Sequence, residues 1–178
     1  CSRGGASKAG AEQLFWALCG GEGAEDAFWL DSASTEGGRA RFSYMGSPRL
    51  GRGPLWRRLV FHLPKAGKPA RLAVARAGGG PEQVVTEAEG GGPVSMLEAV
   101  RSALAECAAG PPAGLPFDLH GGLVGYLGYE MRAECVNGGR PRKEAPTPDA
   151  AFVLADRLLV VDHETGDLYA VALHPRGG

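Results

Sequence analysis

The chain has no isoleucine, a single asparagine at Asn137, and far fewer lysines than arginines. This is the bias of GC-rich coding, and no chemistry follows from it. Its four cysteines, Cys1, Cys19, Cys107 and Cys135, are far apart, with no C-x-x-C and no histidine at ligand spacing. That excludes a zinc site or a dense disulfide framework legible in the sequence, and thiols in a reducing compartment are the expectation. No apolar run approaches the roughly 20 residues needed to span a bilayer. The start, Cys1-Ser2-Arg3-Gly4-Gly5, has neither a methionine nor the apolar core of a signal peptide. No membrane partner is expected, and the chain reads as cut from a longer one. Neither sign of charge is in excess, with 19 Lys and Arg against 20 Asp and Glu and a formal net charge of −1. No global attraction to nucleic acid or anionic membrane follows.

What is present suffices for a core. The 178 residues are 44% hydrophobic, near the size of one domain, and residues 1–178 read as a single region. Leu14 and Leu18, with Phe15 and Cys19 beside them, form an apolar stripe closed by Gly20-Gly21, which predicts an amphipathic helix over 11–19. Phe28-Trp29-Leu30-Asp31-Ser32 and Arg39 to Gly46 read as two strands joined by turn chemistry at 33–38. Residues 55–63 and 70–76 predict a second hairpin, and 83–86 a weak strand. Ser95-Met96-Leu97-Glu98 has the capping-box spacing, predicting a helix from Met96 to about Ala108 with Leu97, Val100 and Leu104 on its apolar face. The tail is strand-rich over 151–155, 157–162 and 168–173, with a turn at 163–167. Helices inserted among hairpins predict an α+β domain on antiparallel sheet, not a doubly wound parallel one.

Motifs that could carry chemistry are few. Gly121-Gly122-Leu123-Val124-Gly125-Tyr126-Leu127-Gly128 lacks both the G-x-G-x-x-G spacing and the Lys-Ser/Thr of a phosphate loop. Its glycines are expected to let a strand pass closely under a crossing helix or neighbouring backbone, with Tyr129-Glu130-Met131-Arg132 starting the next helix. His62, His120, His163 and His174 are scattered, without H-E-x-x-H or a His-Asp-Ser arrangement. No catalytic, cofactor-binding or metal-binding residue is therefore assigned. From Gly37 to Pro81 there is no acidic residue, while ten are basic, from Arg39 and Arg41 to Arg71 and Arg76. A solvated or partner-facing basic surface is the expectation, since the aromatics that single-strand binding needs are sparse.

Several stretches, in order, carry a resemblance: Phe28-Trp29-Leu30-Asp31-Ser32 with Gly38-Arg39-Ala40-Arg41-Phe42-Ser43, then Leu115 to Glu130, Pro148-Asp149-Ala150, and Val160-Val161-Asp162-His163. Together they resemble the amino-terminal region of the chorismate-utilising component I enzymes, the aminodeoxychorismate synthases and anthranilate synthases, and are nearest in wording to the plant and algal aminodeoxychorismate synthases. The resemblance implies two facing sheets built from both ends of the chain, and a non-catalytic region beside a glutaminase domain and a Mg²⁺-dependent chorismate-binding domain of the same polypeptide. It implies no cofactor in this chain, a route from chorismate and glutamine toward p-aminobenzoate and folate, and a chloroplast stroma location. Pro64-Lys65-Ala66-Gly67 shares only Pro, Lys and Gly with the family's nucleophilic Pro-Ile-Lys-Gly-Thr motif and sits in the wrong part of the order, and an exposed turn lysine is a poor nucleophile.

The family also implies a tryptophan-type ligand near the first hairpin. A zwitterion needs an acceptor for its ammonium, a donor for its carboxylate and an apolar slot. Asp31 or Ser32 is the expected acceptor, Arg41 or Ser43 the donor, and Leu30 and Phe42 the walls. Asp31 and Ser32 face opposite ways on a regular strand, so both can serve only if the strand bends or one acts through its backbone. Anthranilate synthases carry glutamate where Asp31 stands. An anthranilate synthase component I region and a free-standing amino-acid-binding module are the alternatives.

Overall fold

The computed structural model describes residues 8–21, 24–31, 41–51, 53–65, 67–78, 80–107, 114–135 and 146–175. Ser32 and the turn expected at 33–38 lie outside them. Among the described residues the strands form two sheets. The first is ordered β1 (Phe28–Leu30), β2 (Phe42–Gly46), β8 (Arg157–Asp162), β9 (Leu168–Ala172). The second is ordered β5 (Gln83–Val85), β4 (Arg71–Arg76), β3 (Arg57–His62), β7 (Ala150–Ala155), β6 (Gly122–Leu127). Each sheet belongs to its own compact unit. The α+β class with antiparallel pairing holds, and the first sheet joins strands from both ends of the chain.

In the first unit, helix α1 (Lys8–Cys19) packs on the sheet through Ala11, Leu14, Phe15 and Cys19. Phe15 stacks on Trp29, with ring centroids 5.5 Å apart and planes at 26°. The expected stripe needs one correction, because Leu18 is 39% exposed. Leu14, Phe15 and Cys19 of that stripe, together with Ala11, are the residues packed over Met45 and Val161. The glycine stop is real: the Gly20 N–H bonds the carbonyls of Phe15 and Trp16 at 3.2 Å, and Gly21 takes φ 93°, where a side chain would be strained.

In the second unit, β3 alternates buried and half-buried residues, so Arg57, Leu59 and Phe61 point inward. Across the ladder Phe61 faces Leu72 and Leu59 faces Val74. Leu59, Phe61, Leu63, Leu72, Met96, Ala103, Met131 and Ala150 make one apolar cluster. Helix α2 (Met96–Glu106) is capped by Ser95, whose Oγ accepts the Glu98 N–H at 3.3 Å. The reciprocal half of the capping box is replaced, since the Glu98 carboxylate takes Arg101 at 2.6 Å. The next N–H, that of Met96, is received by Glu134 of the short helix α3 (Arg132–Cys135) at 2.8 Å.

The apolar face of α2 also differs from expectation. Met96 and Ala103 are buried with Ala99 and Val100 packed beside them, whereas Leu97 and Leu104 are 41% and 46% exposed. Two apolar stripes share this helix, about 90° apart, and the one with alanines allows the closer approach.

The glycine-rich run is β6 and its exit. A Cβ on Gly125 would collide with the backbone carbonyl of Ala151, and one on Gly128 would meet the Asp149 carbonyl oxygen at 2.7 Å. Here glycine serves close backbone approach, as expected, and the chain then turns into a 3₁₀ turn at Tyr129–Met131 and α3.

Candidate functional site

Strand β1 pairs with β2 so that Trp29 lies opposite Met45 and Leu30 opposite Tyr44. Opposed residues share a face, and alternation then puts Asp31 with Ser43 on the Trp29 side and Phe42 with Leu30 on the other. The residues expected to form one pocket are thus divided between two faces. Asp31 and Ser43 come together; Leu30 and Phe42 lie behind them.

On the first face Ser43 is fully buried and sits between two polar groups. Its Oγ–H donates to Asp31 Oδ1 at 3.0 Å, and Oγ lies 2.7 Å from His163 Nε2. An ionised carboxylate can only accept, so the hydroxyl proton goes to Asp31. The His163 Nε2 must then carry a proton and donate to Ser43. A nucleophilic serine needs the opposite polarity, with its proton passing to imidazole. The cluster is therefore a positioning device, which holds the exposed Asp31 carboxylate in place at the end of β1.

Arg41 precedes β2 and is directed at the other end of the chain. Its Nε reaches Asp162 Oδ1 and Oδ2 at 2.9 and 3.0 Å, and Nη2 reaches Oδ2 at 2.6 Å. Glu164 adds a longer contact at 3.3 Å. Asp162 is fully buried and also accepts the Glu164 N–H at 2.9 Å, closing the turn between β8 and β9. The Arg41 hydrogen bonds, helped by those backbone donors, hold its carboxyl down at about 2, against the burial that opposes ionisation. The same bond pushes the Arg41 guanidinium up. As placed, Arg41 is a strut between β2 and the β8–β9 turn, with two of its three nitrogens engaged by Asp162, and its guanidinium carbon sits 4.9 Å from the Phe42 ring centroid.

The second face is aromatic. Phe117, 5% exposed, meets Phe42, Tyr44 and Tyr169 edge-on at 5.4, 6.0 and 5.3 Å. His120 Nε2 lies 2.7 Å from the Phe117 carbonyl oxygen. Burial, then the nearby Asp118 charge, pushes the Tyr44 hydroxyl up. Sequence reasoning missed Asp162, His163 and Phe117 as members of this region. All three stand in stretches that carried the resemblance, so order along the chain was the available signal, but nothing local announces whom they touch.

Elsewhere, Lys65 and Lys68 close a tight turn with reciprocal backbone bonds of 3.1 and 2.9 Å, the setting expected of a turn lysine. Among the described residues no three His, Cys, Asp or Glu side chains converge as a metal would require, and no helix is long and apolar enough to cross a membrane.

No protein-family model matches the chain. Relatives do. The chain is 40% identical over 173 residues to the probable chloroplastic aminodeoxychorismate synthase of Oryza sativa subsp. japonica, covering 93% of this chain and 18% of that protein. It is 37% identical to the aminodeoxychorismate synthase of Streptomyces pristinaespiralis over 82% of this chain and 18% of that protein. Against anthranilate synthase component 1 of Streptomyces coelicolor it is 34% identical over 90% of this chain and 24% of that protein. A solved structure, anthranilate synthase component I from Streptococcus pneumoniae TIGR4, aligns over 78% of this chain at 19% identity with a TM-score of 0.48. The chain spans about a fifth of the length of the aminodeoxychorismate synthases it matches, 18% of the rice protein. Along nearly its whole length, then, it is homologous to a segment of proteins named aminodeoxychorismate synthase and, at 34% identity, to a segment of an anthranilate synthase component 1.

Proposed function

We propose that this chain is the component I amino-terminal region of an aminodeoxychorismate synthase, and that it supports the chemistry without performing it. The observation that carries the reading is the 40% identity to the rice enzyme over 93% of the chain. The site geometry agrees: a buried serine whose proton is held by Asp31, and an arginine forked onto Asp162, are framework rather than reacting groups. The whole enzyme would convert chorismate and glutamine to 4-amino-4-deoxychorismate. A glutaminase domain would release ammonia, and a chorismate-binding domain holding Mg²⁺ would exchange hydroxyl for amine. Both domains would lie in the same polypeptide, outside this chain. A chloroplast location is supported by the names of the rice and Arabidopsis thaliana relatives.

A tryptophan-type ligand belongs to the same reading. Asp31 is the group suited to an ammonium, being exposed, anionic and aimed by Ser43. Anthranilate synthesis is the second reading, favoured by the 34% identity to the Streptomyces coelicolor protein.

The test is the product. The complete reading frame around this chain, expressed and supplied with chorismate, glutamine and Mg²⁺, should make aminodeoxychorismate, read by chromatography. Anthranilate would move the chain to the second reading. Activity of residues 1–178 alone would overturn its supporting role.

A further inference from the structure

The hairpin of β3 and β4 carries a cavity of about 420 Å³, lined by His62, Lys65, Lys68 and Arg71 over Leu63, with Thr86 at its side. His62 lies directly opposite Arg71, and Lys65 opposite Lys68. Like charges opposed across an antiparallel pair repel. Lys65 opposed to Lys68, with Arg71 beside them, gathers three cations at one hairpin end, more than a turn requires. Among the described residues none of the four joins an ion pair, and the chain offers no acid from Gly37 to Pro81. Of the acids beside the lining, Asp149 is engaged by the Leu63 N–H at 2.9 Å.

A cavity with repelling cations on its walls favours a guest that neutralises them. The volume falls in the range of small-molecule sites, roughly 300–1,000 Å³, and no Phe, Tyr or Trp lines it. We propose that this cavity binds a small multivalent oxyanion, a phosphate ester or a polycarboxylate, through Lys65, Lys68 and Arg71, with His62 and Thr86 as further donors. Arg71 supplies a planar fork and the lysines movable point charges, a combination that suits several oxygens on one ligand. The site is independent of the chorismate chemistry proposed above.

Calorimetric titration of the full chain with inorganic pyrophosphate and, separately, with citrate tests it, at about 0.02 and 0.15 M salt. The expected result is one-site binding of at least one anion, weakened roughly tenfold or more by Lys68→Gln and by Arg71→Gln. Arg101→Gln, an exposed arginine of α2 outside the cavity, should leave affinity within about twofold. Both lining variants remove repulsion from an exposed hairpin end, so their melting curves should match or exceed that of the wild type. Binding of pyrophosphate alone names a phosphate ester, and of citrate alone a polycarboxylate. Binding of neither overturns the proposal, as does a loss that Arg101→Gln reproduces or a many-site isotherm abolished by salt.

Discussion

Arg41 and Asp162, 121 residues apart in sequence, meet in a fork with contacts of 2.6, 2.9 and 3.0 Å. The fork ties the first hairpin to the turn between β8 and β9. It is half covered: Asp162 is fully buried while the Arg41 side chain is 32% exposed.

Acid should release this tie in a defined window. Asp162 titrates at about 2 in the folded chain against an ordinary value of 3.8, a depressed carboxylate. Its stabilisation is complete above about pH 4 and lost as pH falls through about 2. Allowing for solvent around Arg41, the contribution is on the order of 1–2 kcal/mol. Urea midpoints of wild type and Asp162→Asn should differ at pH 7 and converge near pH 2. A difference that persists undiminished at pH 2 would show that the charge is not what matters.

Ser43→Ala should cost about 1–3 kcal/mol, because it leaves the half-buried His163 Nε2–H and the Asp31 carboxylate without their shared hydroxyl. Nitrogen-resolved NMR of the wild-type imidazole should find the proton on Nε2 at neutral pH. Finding it on Nδ1 alone would reverse the direction assigned to the Ser43 bonds.

Glycines of the second unit should divide by what surrounds them. Gly125→Ala drives a methyl into the Ala151 carbonyl, and backbone must move. A loss of about 2 kcal/mol or more is expected, in the range of overpacked cores. Gly80 has open space around it and no positive φ, so Gly80→Ala should be neutral or stabilising by up to about 1 kcal/mol. Thermal melting of the two variants side by side decides, and equal effects would contradict the packing at β6.

On α2, Met96→Ala should cost roughly 2–5 kcal/mol as a cavity in the core. Leu97→Ala and Leu104→Ala should each cost less than Met96→Ala, since both side chains are already nearly half in water. Denaturant midpoints would reverse in order if the helix were turned to its leucine face.

The local steps of this fold were open to a reader of the sequence, since they depend on neighbours a few residues away. Alternation marked the strands, Ser95 marked a helix start, and the glycines after Cys19 marked a stop. The order of short motifs pointed to the family. Tertiary structure decided which apolar stripe of α2 is buried, because alanine and leucine faces both read as apolar until something packs against one of them. It also decided the site. Leu30 and Phe42 look like neighbours of Asp31 and Ser43 along the chain, but the two-residue period of a strand sends them to opposite faces. The partners of Arg41 and Ser43 lie 121 and 120 residues away, where local sequence carries no record of the pairing. Asp162 and His163 reach them because β8 lies beside β2, a choice made by burying Met45 and Val161 together.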